Sequence, residues 1–336
     1  MRSLRLVAVV VGAALAVAAL LVAQDDDPPP SLETLADELV ATGVPGVLVH
    51  LRDADDVGAF GRGDASADDR FRVGSVTKTM IAALALTLAD AGALALDDPV
   101  SRHVPGLLRD GDRITVRSLL AHTAGLYDYT YDRALLNGEL PPRALVAIAD
   151  RRARSKGYAY SSTNYLALGL ALEAAGGAPI AELLRRHVFE PYGLENTTFE
   201  TGRVSGDYLH GNERASRDGI ATGGLRDTHG RTARSAWAAG AVVSTATDLD
   251  RFFERVLDSD LGRRMRPTGD ARYGLGLARF VTGCGPVVGH TGNLLGTITV
   301  VGKYGDRLLV AAADVYPLTP RQEVALEKLL ARALCG

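Results

Sequence analysis

Ser75 and Lys78 are the two residues of this sequence whose types and spacing best suit covalent chemistry. Side chains three positions apart on a helix share a face, so the hydroxyl and the amine are expected within hydrogen-bond distance. Burial lowers the pKa of a lysine, and a neutral amine can accept the serine proton and activate the hydroxyl as a nucleophile. Lysine is also scarce, since the only others are Lys156, Lys303 and Lys328. The alternative is a serine that caps a helix beside a solvated lysine.

The element that must position this pair is an apolar run over residues 75–91, which predicts a buried helix. Gly74 marks the start of this helix and Gly92 its end. A residue at the start of a helix lies beside unpaired N–H groups and the positive end of the helix dipole. Ser75 is therefore predicted to lie where negative charge is stabilised.

Tyr160 and His290 are the candidate partners of this pair. Tyr160 precedes a helix predicted over 163–175, and from the loop entering that helix its phenol could relay the serine proton to a leaving group. His290 lies between residues 286–289 and a strand predicted over 294–301, where its imidazole and the following threonine and glycine could line a cleft. The alternatives are a packing tyrosine and a structural histidine.

The order of the predicted elements indicates an α+β fold. Helices are predicted at 31–43, 75–91, 115–121, 142–150, 163–175, 180–187, 247–257 and 320–334. Strands are predicted at 46–51, 241–244, 274–281, 294–301 and 307–313. The two chain ends then build one α+β lobe, and the middle of the chain forms a helical lobe beside it. The active site is expected in the cleft between the lobes.

The N-terminus has the composition of an export segment. Residues 6–23 are apolar and uncharged, two arginines precede them, and three aspartates and three prolines occupy 25–30 after Gln24. Residues 1–23 are therefore predicted to be a signal peptide or membrane anchor, 24–30 a linker, and 31–336 one catalytic domain. The expected location is secreted or extracytoplasmic, with membrane contact only through residues 6–23 if the segment is not cleaved.

Composition and spacing argue against several kinds of ligand. The net charge of -3, with both signs interspersed, gives no case for binding nucleic acid. No histidine and carboxylate spacing suggests a metal and no glycine-rich loop suggests a nucleotide, so no cofactor is expected. Cys284 and Cys335 could form a disulfide in an oxidising compartment and pin the C-terminal helix near His290, or could remain two buried thiols.

The motifs at Ser75, Tyr160 and His290 occur in an order and at separations that resemble the serine β-lactamase and penicillin-binding family. The resemblance is closest to the secreted Streptomyces-type D-alanyl-D-alanine carboxypeptidases and covers about Ser31 to Gly336. It implies a β-lactamase/transpeptidase-like fold, in which helices flank an antiparallel sheet and a helical lobe completes the site. Further segments carry the resemblance: 112–129, 239–250, 273–277 and the two cysteines, which match the disulfide of that group.

The resemblance implies a role for each motif residue. Ser75 forms an acyl-enzyme, Lys78 and Tyr160 manage its proton, and the backbone N–H groups of Ser75 and Asn293 form the oxyanion hole. His290 stands where many relatives carry a lysine. Trp237 is expected to line the cleft by analogy, with core packing as the alternative. The implied substrate contacts are Ser162, Thr291, Gly292, Asn293 and Trp237.

Three positions depart from the pattern of that group. Ser162 replaces an asparagine and Asn293 replaces a common hydroxyl residue. Ala278 stands where those carboxypeptidases carry an arginine for the substrate's terminal carboxylate, and the neighbouring Arg279 is expected to point to the opposite face of its strand. A pocket without its bidentate arginine should bind a free C-terminus less well.

The leading hypothesis is an exported serine hydrolase of D-alanyl-D-alanine carboxypeptidase type that acts on peptidoglycan stem peptides, with β-lactams as inhibitors. The alternatives within the same fold are a serine esterase, another amidase or a β-lactamase, with a small peptide or ester as substrate. A non-catalytic binding protein is the hypothesis from another class. Retention of Ser75, Lys78 and Tyr160 together argues against it.

Overall fold

The computed structural model describes residues 29–217 and 220–336. The predicted export segment and all but the last two residues of the predicted linker therefore lie outside the described residues. The helices are α1 Leu32–Ala41, α2 Thr77–Asp90, α3 Val100–His103, α4 Val116–Leu120, α5 Arg133–Leu136, α6 Pro142–Asp150, α7 Ser162–Gly176, α8 Ile180–Leu184, α9 Glu190–Tyr192, α10 Ala246–Leu257, α11 Asp260–Met265 and α12 Pro320–Cys335.

The strands form one large and two small sheets. Their bounds are β1 Gly46–Asp53, β2 Asp56–Gly63, β3 Phe71–Arg72, β4 Thr198–Phe199, β5 Asn212–Arg217, β6 Ile220–Asp227, β7 Val242–Ser244, β8 Ala278–Thr282, β9 Gly285–Leu294, β10 Thr297–Tyr304, β11 Arg307–Ala313 and β12 Val315–Tyr316. The large sheet is antiparallel in the order β2-β1-β11-β10-β9-β8, and the small sheets run β12-β5-β6 and β3-β7-β4.

The large sheet is built from both chain ends, as the sequence predicts. Helices α1 and α12 pack together on one face, and α10 lies against β1 and β11 on the other. Because side chains alternate between the faces of a strand, each central strand contributes to two cores. Val47, Val49, Leu309 and Ala311 face α1 and α12, while Leu48, Leu308 and Val310 join the core of the helical lobe.

Helix α2 runs through the centre of the helical lobe. Eleven of its fourteen residues are buried, and α7 packs beside it. A helix buried on every side needs no polar face, which explains why apolar residues dominate its sequence from Met80 to Leu88. The helix therefore holds its first turn, with Lys78, away from solvent.

The structure differs from the sequence prediction at several strands. Strand β2 was not predicted, because it is largely exposed and lacks an apolar pattern. The strand predicted over 274–281 begins only at Ala278, and the one predicted over 294–301 begins only at Thr297. Leu295 and Gly296, both at positive φ, form the turn before β10. Strands β5 and β6 were also missed.

Cys284 and Cys335 form a disulfide that ties the turn before β9 to the end of α12. Among the described residues, no single helix is both long and apolar enough to cross a membrane. One bent pair, Ser162–Gly176 with Ile180–Tyr192, meets that test by length and composition alone.

Candidate active site

Ser75 lies in a single 3-10 turn, Gly74–Val76, immediately before α2. The prediction that the α-helix itself begins at Ser75 is wrong, since α2 starts at Thr77. Gly74 makes this turn possible, because it has a φ of 53° and a Cβ there would lie 2.7 Å from the backbone nitrogen of Asn293. The tight turn brings Ser75 against β9 instead of burying it inside the helix.

Lys78 is completely buried, with 0% of its surface exposed. Its Nζ atom lies 2.8 Å from Ser75 Oγ and 2.9 Å from the carbonyl oxygen of Ala239. Burial lowers the pKa of Lys78 to about 7, so a large share of the amine is neutral at neutral pH. In that form its lone pair can accept the Ser75 proton while an N–H donates to Ala239.

Asp128 supplies negative charge near Lys78, and the sequence analysis did not single it out. Its carboxylate accepts hydrogen bonds from the backbone and hydroxyl of Thr130, at 3.1 and 2.9 Å. Burial raises the pKa of Asp128, while its charge opposes the downward shift of the Lys78 pKa. Burial lowers the pKa of Lys78 and this carboxylate raises it, and together they leave that pKa at about 7.

Tyr160 lies on the loop before α7, as predicted, and its phenol interacts with Ser75. Lys78 Nζ lies 5.1 Å from the centre of the Tyr160 ring. Burial raises the pKa of Tyr160 well above its usual value, and the interaction with Ser75 partly opposes this shift. The phenol therefore keeps its proton at neutral pH and can act as a donor.

His290, Thr291 and Gly292 lie within β9 and not before a strand, so that part of the prediction is wrong. Strand β8 pairs with β9 only over residues 285–289, which leaves the following edge of β9 open beside the Ser75 turn. A Cβ at Gly292 would lie 2.0 Å from the carbonyl oxygen of Val73 and 2.9 Å from the nitrogen of Ser75. Only glycine permits this close approach.

The same approach brings two backbone N–H groups to one place. The nitrogen of Asn293 adjoins Gly74, and the nitrogen of Ser75 adjoins Gly292. An oxyanion hole needs two such neighbouring N–H groups to stabilise the charge on a former carbonyl oxygen, and their role here stays a prediction.

His290 is a neutral residue in this site. Burial lowers its pKa to about 3, and the nearby Lys78 adds to the shift. Its Nδ1 atom lies 2.6 Å from the carbonyl oxygen of Thr291, so Nδ1 carries the proton. Its Nε2 atom then accepts from the Tyr273 hydroxyl at 2.9 Å. The imidazole consequently supplies no positive charge to a substrate.

For Ser162 and Trp237 the structure shows packing near the site. Ser162 is buried at the start of α7, where its backbone N–H helps stabilise the Asp128 carboxylate. Trp237 lies in the 3-10 turn that precedes β7 and has a φ of 33°. Its ring packs so closely on α7 that a Cβ at Gly169 would meet it at 2.7 Å. The substrate contacts proposed for both residues remain predictions.

The register of the sheet changes the expectation for Arg279. Arg279 pairs with Val288, which lies two residues from His290, so the three share a face of the sheet. Strand alternation therefore does not turn Arg279 away from the cleft. Instead, its guanidinium donates to the carbonyl oxygens of Gly269 and Pro267, the latter at 2.9 Å. Ala278 carries no charge, so neither position offers a free cation.

Two other residues, His122 and Tyr273, belong to the site. The sequence predicts only that His122 orders a loop at the edge of the cleft, and it assigns Tyr273 no role. The His122 ring lies 4.2 Å from that of Tyr160 and 4.7 Å from that of Tyr273. Both occur in segments that carry the family resemblance, which is the only sequence signal that pointed to them. Within the described part of the chain, no group of three or more His, Cys, Asp or Glu side chains could hold a metal.

A family model described as Beta-lactamase matches residues 32–326, nearly all of the described chain. The chain belongs to the β-lactamase family. Members of this family are serine hydrolases that form an acyl-enzyme, act on amide, peptide or ester substrates, and bind β-lactams. The α+β architecture described above is the β-lactamase/transpeptidase-like fold of the family.

The proteins to which the chain is similar are named for different hydrolase activities. A D-stereospecific amidohydrolase from Streptomyces sp. is 29% identical and has a TM-score of 0.77, over 85% of this chain and 94% of that one. The D-alanyl-D-alanine-carboxypeptidase/endopeptidase AmpH of Escherichia coli is 27% identical over 59% of this chain and 51% of its own length. The esterase EstB of Burkholderia gladioli is 32% identical over 50% and 49%. The chain spans about half the length of these two curated relatives.

Proposed function

We propose that this protein is an exported serine hydrolase that cleaves amide bonds next to D-amino acids, with cell-wall peptides ending in D-Ala-D-Ala as its substrates. The observation that carries the proposal is the 2.8 Å contact between Ser75 Oγ and the amine of a completely buried lysine. A dry lysine with a pKa near 7 is suited to activating a hydroxyl at neutral pH.

Acylation begins when neutral Lys78 takes the Ser75 proton and Ser75 Oγ bonds to the substrate's carbonyl carbon. The carbonyl electrons move to its oxygen, which the N–H groups at Ser75 and Asn293 stabilise. The C–N bond then breaks as the Tyr160 hydroxyl gives its proton to the leaving nitrogen and recovers one from Lys78. Each proton is accounted for, and the product is an ester on Ser75.

Deacylation follows the same path in reverse, with water in place of the leaving amine. Tyr160 and Lys78 together take a proton from the water as its oxygen bonds to the acyl carbon. The C–O bond to Ser75 then breaks, and the proton returns to the serine oxygen. The free acid leaves and the resting site is restored.

Two relatives support a substrate with D-configuration. The Streptomyces protein is named for a D-stereospecific activity, and AmpH is named for D-alanyl-D-alanine. Export is supported by the composition of residues 1–23 and agrees with the disulfide between Cys284 and Cys335. A cell-wall peptide is the D-amino-acid substrate that an exported protein would meet.

A second candidate function is hydrolysis of a neutral D-amino-acid amide or of an ester. It is favoured by the electrostatics of the pocket, since His290 is neutral and Arg279 is engaged by two carbonyl oxygens. Neither residue presents a free positive charge to a terminal carboxylate. The relation to the esterase EstB also supports this candidate.

Three substrates separate the candidates when assayed with the full-length protein and its Ser75→Ala variant. They are a diacetyl-Lys-D-Ala-D-Ala peptide, D-phenylalaninamide with its L-isomer as control, and a p-nitrophenyl ester. Ser75-dependent release of D-Ala supports the peptidase, whereas turnover of only the amide or the ester supports the second candidate. Absence of Ser75-dependent turnover on all three contradicts both.

Arg279→Gln tests the same distinction from the protein side. Arg279 would have to leave its carbonyl partners to bind a terminal carboxylate. If it does so, the variant raises the KM for the D-Ala-D-Ala peptide about 10-fold or more and leaves the KM for the C-terminal amide of that peptide unchanged. Equal KM changes on both would assign Arg279 a structural role only.

A further inference from the structure

We propose that His122 is the positioning residue for Tyr160, holding the phenol where it can give its proton to the leaving group. The inference rests on the acyl-enzyme chemistry proposed above but not on any particular substrate. Tyr160 lies on a loop, so no helix or strand fixes the geometry that proton transfer requires.

The backbone on both sides of Tyr160 is bonded to His122. The N–H of Ala159 donates to the carbonyl oxygen of His122 at 2.9 Å. The N–H of Ser161 donates to His122 Nδ1 at 3.2 Å. One residue therefore holds the 158–159 and 160–161 peptide units, which lie on either side of Tyr160, and this restricts the backbone angles that aim the phenol.

The His122 ring also supports the Tyr160 side chain directly. The two ring centres are 4.2 Å apart with an interplanar angle of 34°, which is close packing of two flat surfaces. The Tyr165 ring, 5.2 Å from that of His122, packs nearby. Backbone bonds and ring packing thus fix both the position and the orientation of the phenol.

The hydrogen bonds determine which tautomer of His122 is present. Both the Ser161 N–H and the Asn164 side-chain amide, at 3.1 Å, point to Nδ1, so Nδ1 must accept and Nε2 must carry the proton. His122 Nε2 has no hydrogen-bond partner in the part of the chain that the structure describes. The acceptor at Nδ1 is thus the polar function that the ring supplies.

His122 is itself held rigidly. It is completely buried, and its backbone N–H donates to the carbonyl oxygen of Leu119 at the end of α4. Its φ of 57° lies in the left-handed region, which histidine, asparagine and aspartate adopt more readily than other residues with a side chain. Helix α4 in turn packs on α7, which follows Tyr160. The anchor and the residue that it positions are therefore parts of one packed unit.

The surroundings of His122 favour the neutral form of its ring. Burial lowers the pKa of His122 well below its usual value, and the positive charge of protonated Lys78 adds to the repulsion of a proton. The ring therefore stays neutral when Lys78 takes the Ser75 proton. A lysine or arginine at this position would oppose that transfer.

Two substitutions separate the acceptor from the rest of the side chain. In His122→Asn the amide oxygen takes the place of Nδ1, and asparagine tolerates the positive φ. His122→Leu keeps comparable apolar bulk and has no acceptor, but leucine is strained at this φ. His122→Gly adopts the φ freely and also lacks the acceptor, so it is the control for strain and should be slowed as much as His122→Leu. If the acceptor positions Tyr160, acylation is slowed about 100-fold in His122→Leu, as expected for a misplacement of about 1 Å, and largely recovers in His122→Asn.

Two probes make the test specific to proton donation. Fluorescent penicillin acylates serine with a leaving nitrogen that needs a proton, whereas p-nitrophenyl acetate releases a stable phenolate that does not. We expect His122→Leu to slow acylation of the full-length protein by the penicillin about 100-fold and by the ester less than about threefold. Equal slowing with both probes, or no recovery in His122→Asn, would overturn the proposal.

A double-mutant cycle adds a second check. If His122 acts only through the Tyr160 phenol, His122→Leu has little further effect on penicillin acylation in a Tyr160→Phe background. Independent, multiplying effects would show that His122 acts elsewhere.

Crystal structures of the two His122 variants decide the question without any activity. The proposal requires the Tyr160 hydroxyl to move by about 1 Å or more in His122→Leu and to stay in place in His122→Asn, while Ser75 and Lys78 remain in contact. An unmoved phenol in His122→Leu would contradict it. If neither probe acylates the wild-type protein, the proposed function fails, and these structures still test the positioning role separately.

Discussion

The pH dependence of acylation should report the ionisation of Lys78, and removing the charge of Asp128 should move it. A lysine with a pKa of 10.5 would be neutral in about 3 of 10,000 molecules at pH 7, whereas one with a pKa of about 7 is neutral in about half. Burial thus raises the population of the active base about 10³-fold. Wild-type acylation should have its midpoint near pH 7 and fall to about one tenth of its plateau at pH 6.

Asp128→Asn removes a negative charge that favours protonated Lys78. The pKa of the lysine should therefore fall, and the midpoint of acylation should move to lower pH. The assay is single-turnover acylation by fluorescent penicillin from pH 5 to 9, with thermal melts to confirm that the variant is folded. A midpoint that moves to higher pH would refute the electrostatic argument, as would a wild-type midpoint near pH 10.

Three other predictions concern packing and stability. Gly292→Ala should slow acylation about 100-fold, because its Cβ would meet the Val73 carbonyl at 2.0 Å, whereas Gly58→Ala, which meets nothing within 4 Å, should leave the rate unchanged. Burial raises the pKa of Asp314 to about 7, so between about pH 4 and pH 7 the carboxyl loses its proton more readily in the unfolded chain. The free energy of unfolding of the wild-type protein, measured in urea, should therefore fall as the pH rises over this range, and Asp314→Asn should show a smaller fall. Leu84→Ala, which opens a cavity in the core around α2, should lower the free energy of unfolding, measured by urea unfolding, by about 2–5 kcal/mol. An unchanged rate in Gly292→Ala, an unchanged pH profile in Asp314→Asn or an unchanged stability in Leu84→Ala would contradict the corresponding argument.

The parts of the site that depend on local sequence were predictable. The three-residue spacing of Ser75 and Lys78 fixes their proximity, and the apolar run after them reveals a buried helix. The disulfide between Cys284 and Cys335 followed from the family resemblance, since spacing alone left two buried thiols as an alternative.

Other features depend on contacts between distant segments and could not be predicted locally. His122 and Ser161 are 39 positions apart, and only the fold brings them together. The strand that carries His290 contains three glycines between residues 285 and 292, which weakens its strand pattern. The engagement of Arg279 by Gly269 and Pro267 depends on a loop conformation that no periodicity encodes.

The central claim is that Ser75 is a nucleophile activated by Lys78, and mass spectrometry of a trapped acyl-enzyme tests it most directly. Trypsin cleaves after arginine and lysine, so Ser75 should be recovered on the peptide spanning Val73 to Lys78. After treatment of the full-length protein with penicillin, that peptide should carry the added mass, and Ser75→Ala should carry none. An adduct on another residue, or no adduct at all on the folded wild-type protein, would contradict the account.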